Sequence, residues 1–178
     1  MIRLERLARL LLLSVCSVAS APLHAFDVRR LTIEELMELN IYSAARRDES
    51  VRASSAAVYV LTGEDMRRAR VTSVPEALRL VPGVQVARVD ANKWAVSIRG
   101  FNNRAANKLQ VLVDGRSIYD PLFSGVLWES RDIPLENIDR IEVIRGPGGT
   151  LWGANAVNGV INIITKHTRD TLGSLAYV

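Results

Sequence analysis

Cysteine is almost missing from this chain. Its single cysteine, Cys16, excludes a disulfide framework and a Cys-ligated metal site. Histidine is equally scarce. Only His24 and His167 are present, too few for a His-based zinc site or a Ser-His-Asp triad. Neither a Gly-x-Ser-x-Gly elbow nor a phosphate-cradling Gly-x4-Gly-Lys loop occurs, so hydrolase and P-loop chemistry find no support. With no nucleophile–base set, the chain reads as a non-enzyme, and nothing in it calls for a cofactor or a metal. Charge of one sign is not abundant either: 23 Lys and Arg stand against 19 Asp and Glu, scattered and interleaved. That is no nucleic-acid footprint. No apolar run reaches the ~20 residues that a bilayer-spanning helix needs.

What is present begins with a leader. Arg3, Arg6 and Arg9 precede the apolar run Leu10–Ala21, as in a secretory signal peptide. Cleavage is expected after Ala25, since Pro22 blocks the Ala19-Ser20-Ala21 site. Leu13-Ser14-Val15-Cys16 is a poor lipobox. Losing residues 1–25 removes three arginines and one glutamate, bringing the net charge from +4 to about +2. In residues 26–50, Thr32 and Glu35 form a capping-box pattern that predicts a short amphipathic helix. Residues 41–49 are polar after Ala45 and lack helical periodicity, the composition of a linker.

The remainder is organised around Asp139–Lys166. Ile141 and Val143 alternate with Glu142, and Ile161 and Ile163 alternate with Asn162, which predicts strands over Arg140–Arg145 and Gly159–Thr165. Gly146, Pro147, Gly148 and Gly149 predict a turn between them rather than a helix, with Trp152 as an apolar anchor. Upstream, further strands are expected at Ala57–Leu61, Val84–Val89, Ala95–Arg99 and Leu109–Asp114, with Ile133–Ile138 leading into the central stretch. Thr62 caps a helix carrying Glu64 and Asp65 in its first turn. Ser73 and Glu76 form a second capping box, and Pro82-Gly83 stops that helix. Asp114-Gly115 is a turn pair. Tyr119–Arg131 is a long loop with exposed aromatics, the kind that often carries function. Strands and helices mix without βαβ alternation. The expected fold is α+β: a small mixed sheet of about four strands, two short helices and long loops.

Three phrases, Ser97–Phe101 (SIRGF), Leu112–Arg116 (LVDGR) and IEVIRGPGGTLWGANAVNGVINIITK ending at Lys166, resemble in order and spacing the plug domain of TonB-dependent outer-membrane receptors. The phrase SVPEALRLVPGVQV is similar to the same domain, and the resemblance spans roughly residues 41–166. It implies a TonB box at Ile41, Tyr42, Ser43, Ala44, Ala45, Arg46 and Arg47, an extended segment able to add a strand to its partner's sheet. Composition alone makes Arg99 and Arg145 ordinary solvated arginines. The resemblance turns them, with Glu142 in the same cluster, toward acidic residues on the inner wall of a barrel. It also turns Asn102, Asn103, Arg104 and Phe123 outward, toward ligand.

The implied partners are TonB with its inner-membrane complex, a 22-stranded β-barrel normally in the same chain, and a siderophore-like ligand. The implied location is the outer membrane. Residues 171–178 look like the first steps of a barrel strand, where the sequence stops. The organisation expected is signal peptide 1–25, box-bearing segment 26–50, plug 51–170 and barrel start 171–178. This is the pattern of a receptor fragment. The alternative is a free-standing periplasmic module that binds TonB-type partners or ligand without transport.

Overall fold

The computed structural model describes residues 38–43, 49–54 and 56–172. The leader, the helix expected behind Thr32, and residues 173–178 lie outside them. In chain order the strands are β1 (Asn40–Ile41), β2 (Glu49–Ser50), β3 (Val58–Thr62), β4 (Val84–Arg88), β5 (Trp94–Ile98), β6 (Leu109–Val113), β7 (Arg116–Ser117), β8 (Ile138–Arg145) and β9 (Gly159–Thr165). The helices are α1 (Gly63–Arg68), α2 (Val74–Leu78) and the single turn α3 (Gly149–Trp152).

The alternating runs become the centre of a five-stranded sheet ordered β3-β8-β9-β6-β7. β8 and β9 are antiparallel, with Glu142 opposite Asn162 and Val143 opposite Ile161. β6 runs parallel to β9, whereas β3 and β7 join antiparallel, so the sheet is mixed. β1–β2 and β4–β5 form separate two-stranded sheets. The fold is α+β, as expected, with one more strand in the main sheet.

Alternation assigns the two faces of the sheet. Ile141, Val143, Ile161, Ile163, Val111 and Leu109 point into the main core, against Met66 of α1, Ala77 and Leu78 of α2, and Val96 and Ile98 of β5. The opposite face has a smaller cluster of Leu112, Ile144 and Val160 under Trp152 and Ala156. Polar residues on the same face are buried too: Glu142 is 0% and Asn162 1% exposed.

Local signals explain most element ends. Thr62 Oγ1 accepts the Asp65 N–H while the Asp65 carboxylate accepts the Thr62 N–H, a complete capping box on α1. At α2 the Ser73 hydroxyl accepts the Glu76 N–H, but the Glu76 carboxylate reaches Thr72 instead of closing the box. Those Thr72 bonds hold Glu76 below the usual carboxylate range. Asp114 (φ 49°) and Gly115 (φ 75°) are both left-handed, as a two-residue hairpin between β6 and β7 requires. The segment Ile133–Ile138 leads into the central stretch through a 3-10 turn at Leu135–Asn137, and β8 starts at Ile138. The Gly-rich link carries the turn α3 where none was expected, because the Leu151 and Trp152 amides fold back onto the Gly148 carbonyl.

Candidate functional site

The polar patch on the minor face of the sheet is where the amino-terminal segment docks. Glu142 sits mid-strand in β8, between β3 and β9, and its carboxylate points away from the main core. It accepts the Ser43 N–H at 2.8 Å, the Tyr42 N–H at 3.1 Å and the Arg140 Nε–H at 3.0 Å. A buried carboxylate persists only when paired and hydrogen-bonded, and these donors supply both conditions. From the other side the Trp152 indole Nε1–H donates to the Ser43 carbonyl at 2.8 Å. The Tyr42 ring meets Trp152 edge-on at 6.4 Å. Ile41 is fully buried and pairs with Glu49, so β2 holds the segment's amino-terminal side.

Ser43 is fully buried as well, yet its hydroxyl has no partner. The segment is therefore held by its backbone and not by the Ser43 side chain. Beside it opens a cleft of about 370 Å³ lined by Tyr42, Trp152, Arg140, Asn162, Asp114 and Gly115, together with Ile164. Of the seven residues expected as a TonB box, Ile41, Tyr42 and Ser43 form this contact. Ala44, Ala45, Arg46 and Arg47 lie outside the described residues.

Glu142 is not beside Arg145. Three positions separate them on one strand, which puts them on opposite faces. Arg145 turns to the main-core side, donates Nη1–H to the Pro82 carbonyl at 3.3 Å, and keeps a buried Nε without a partner. Arg99 stands just past β5 with its guanidinium over Gly146, the residue after Arg145. Among the described residues neither arginine makes an ion pair. Arg99 (φ 56°), Gly100 (φ 95°) and Phe101 (φ 57°) form a run of three left-handed residues. For the two with side chains this costs on the order of 1 kcal/mol each, the kind of strain that gathers at functional positions.

The loop residues assemble at the end of the sheet where β6 begins. Asn102, Asn103 and Arg104 are exposed, and so are Phe101 and Phe123. Gly125 is seated so tightly on Ala105 that a Cβ would lie 2.6 Å from its carbonyl carbon, which locks the loop 119–127 to the loop 99–108. Arg104 also pairs with Glu129 through Nε and Nη2. Burial alone would push the Glu129 carboxyl up, but the Arg104 guanidinium helps hold it below its ordinary range. Arg104 is thus tied down, whereas Asn102, Phe101 and Phe123 are left projecting.

A family model described as "TonB-dependent Receptor Plug Domain" matches residues 50–160. The vitamin B12 transporter of Vibrio vulnificus is 33% identical over 137 residues, covering 76% of this chain and 22% of that protein. The iron-regulated outer membrane virulence protein of Vibrio cholerae is 37% identical over 134 residues, 72% of this chain and 20% of that one. Among solved structures, the ferripyoverdine receptor of Pseudomonas aeruginosa superposes with a TM-score of 0.60 at 23% identity, over 72% of this chain and 16% of the receptor, and shows the shared fold. The chain spans about a fifth of the length of the relatives it matches. Those relatives are transporters and receptors, not enzymes.

Proposed function

The chain belongs to the TonB-dependent receptor plug domain family, and from that membership we propose that it is the plug of an outer-membrane receptor importing a scarce, bulky ligand of the ferric-siderophore or cobalamin kind. The names of the vitamin B12 transporter and the ferripyoverdine receptor support that ligand class. A barrel of 22 strands surrounds the plug, and the leader exports the chain to it. Arg99 and Arg145 meet acidic residues of the barrel wall. The orphaned Arg145 Nε supports this, since a buried donor without a partner lacks an acceptor that the barrel would bring. Asn102, Asn103, Arg104 and Phe123 face the ligand. Glu142 acts inward, on the amino-terminal segment.

The observation that carries the gating step is the docking of Tyr42 and Ser43 onto Glu142 and Trp152. TonB adds the box, residues 41–47, to its own sheet by main-chain hydrogen bonds. A pull on that segment then acts directly on β8 and on the Gly-rich link after it, and the plug rearranges to open a path. The test is Ser43→Pro, which removes the Ser43 N–H needed by a strand-adding partner. Crosslinking to TonB in cells should be lost while the purified chain still gives a cooperative melt, lowered by loss of the Ser43 N–H that Glu142 accepts. Unchanged crosslinking would remove residues 41–47 as the box.

A further inference from the structure

At the end of the sheet where β6 begins, the two loops present apolar groups and amides rather than free charge. Leu122 is 83% exposed, Phe101 76% and Phe123 52%. Among the described residues only Leu172 is a large apolar residue more exposed than Leu122. The loop that carries Leu122 and Phe123 is tightly closed. Asp120 and Gly125 bond each other through both backbone N–H groups, at 2.8 and 3.3 Å. The Asp120 carboxylate accepts the Leu122 N–H at 2.9 Å and the Phe123 N–H at 3.3 Å. Apolar groups held in water on a fixed loop mark a contact surface.

The charges around them are already engaged. Arg104 pairs with Glu129, and the Lys93 ammonium with Asp90 at 3.0 Å. Arg88 gives Nε–H and Nη2–H to the Ala91 carbonyl. The Ala91 N–H and Lys93 hold the Asp90 carboxyl below its ordinary range, and the Arg104 charge adds to this, so the β4–β5 turn belongs to the same charged rim. Lys108 makes no ion pair among the described residues. Together Arg88, Lys93, Arg104 and Lys108 stand against Asp90, Asp120 and Glu129, four positive charges to three negative. We propose that the ligand meets this plug with an uncharged face, setting aryl or alkyl groups on Phe101, Leu122 and Phe123 and amide or carbonyl groups on Asn102 and Asn103. This rests on reading the loops as ligand-facing, and it selects a neutral, amide-rimmed ligand over a highly charged ferric chelate. Asn102 makes no side-chain bond among the described residues, and Asn103 uses only its carbonyl, on the Ala105 N–H. A trianion would meet one net positive charge. To gain more it would have to take Arg104 or Lys93 from an existing carboxylate.

The test titrates the full, isotope-labelled chain and follows its amide signals by NMR. One probe is cyanocobalamin, uncharged overall and rimmed with amides. The other is the gallium tris-catecholate trianion, a diamagnetic stand-in for a ferric chelate. Cyanocobalamin should move the amides of residues 101–104 and 122–124, with an affinity that changes less than about twofold between low and high salt. Phe101→Ser and Phe123→Ser should each weaken it about tenfold, and Lys108→Gln should change it less than about twofold. All three positions are exposed, and melting curves check that each variant is folded. Cyanocobalamin binding unmoved by the two serine substitutions would overturn the apolar contact. Tighter binding of the trianion at the same amides, weakened about tenfold by salt, would overturn the neutral class and keep the loops as the ligand face. If neither probe moves these amides, the apolar tips are packing surface for a barrel, and the ligand-facing reading falls together with the inference.

Discussion

Gly159 opens β9 opposite Arg145, and the structure leaves it no room for a side chain. A Cβ there would lie 2.5 Å from the Ile144 carbonyl oxygen and 2.7 Å from Ile98 Cδ1. The first neighbour is backbone in the central strand pair, and the second is a fully buried core side chain. The Ile144 carbonyl cannot yield without moving β8 against β9. Overpacking of this kind costs about 3 kcal/mol, the upper end of its usual range, because the clash is with main chain. For a domain of this size each kcal/mol shifts the melting temperature by about 3–6 °C, so Gly159→Ala should lower it by about 10–15 °C. Gly146→Ala is the control. It too is buried, but the nearest neighbour of its Cβ would be Arg99 Nη1 at 3.9 Å, an ordinary contact. That variant should stay within about 3 °C of the parent. Differential scanning calorimetry on the purified chain measures both. If Gly159→Ala melts within a few degrees of Gly146→Ala, the close approach of β8, β9 and β5 is not as described.

Arg145→Met should leave the isolated chain as stable as the parent or a few degrees more stable in thermal melts, because it removes a buried Nε that has no partner. A drop of more than about 5 °C would mean that the Pro82 contact matters more than the orphan. Gly125→Ala should separate the two loops at Ala105 and raise amide exchange in residues 99–108, read by hydrogen-exchange mass spectrometry, while β8 and β9 stay protected; unchanged exchange would argue against the packed loops. The Arg104–Glu129 pair should show a defined pH window. A glutamate held below its ordinary value stabilises the folded state above that value, and the contribution is lost as pH falls through the lower, folded one. The difference in melting temperature between the parent and Arg104→Gln should be present near pH 7 and shrink toward about pH 3. A difference that is the same at both would exclude the pair as its source.

The strands were legible because alternation is a local property. Ile141, Val143, Ile161 and Ile163 mark a buried face wherever their strands pair. What alternation cannot say is whether the other face is covered. Glu142 and Asn162 occupy matching positions on neighbouring strands, which in sequence looks like a solvent face. The cover comes from residues 40–43 and Trp152, about a hundred positions upstream of β8 and in the link after it. The odd spacing from Glu142 to Arg145 was the available signal that the two do not act together. The helix turn α3 was missed because glycines argue against a helix by propensity. Here that turn is only four residues long and is fixed by Trp152, which packs in the small cluster and bonds Ser43.

The strand order also fixes a sequence of events. β3 has one partner in the main sheet, β8, and Val58 meets Ile144. β6 waits for β9, with Leu109 beside Gly159. Both central strands come from the last part of the sheet-forming chain, so β3 and the β6–β7 hairpin are not joined in one sheet until residues 138–165 have been made. Loop closures of about 50 and 85 residues must precede the docking of β6 on β9 and of β3 on β8, which slows completion of the sheet and leaves β3 and the outer edge of β6 without those partners in the interval. The main sheet is therefore completed only by its last strand, and a chain interrupted before Gly159 would leave the β6–β7 hairpin with no β9 to join it to β8 and β3.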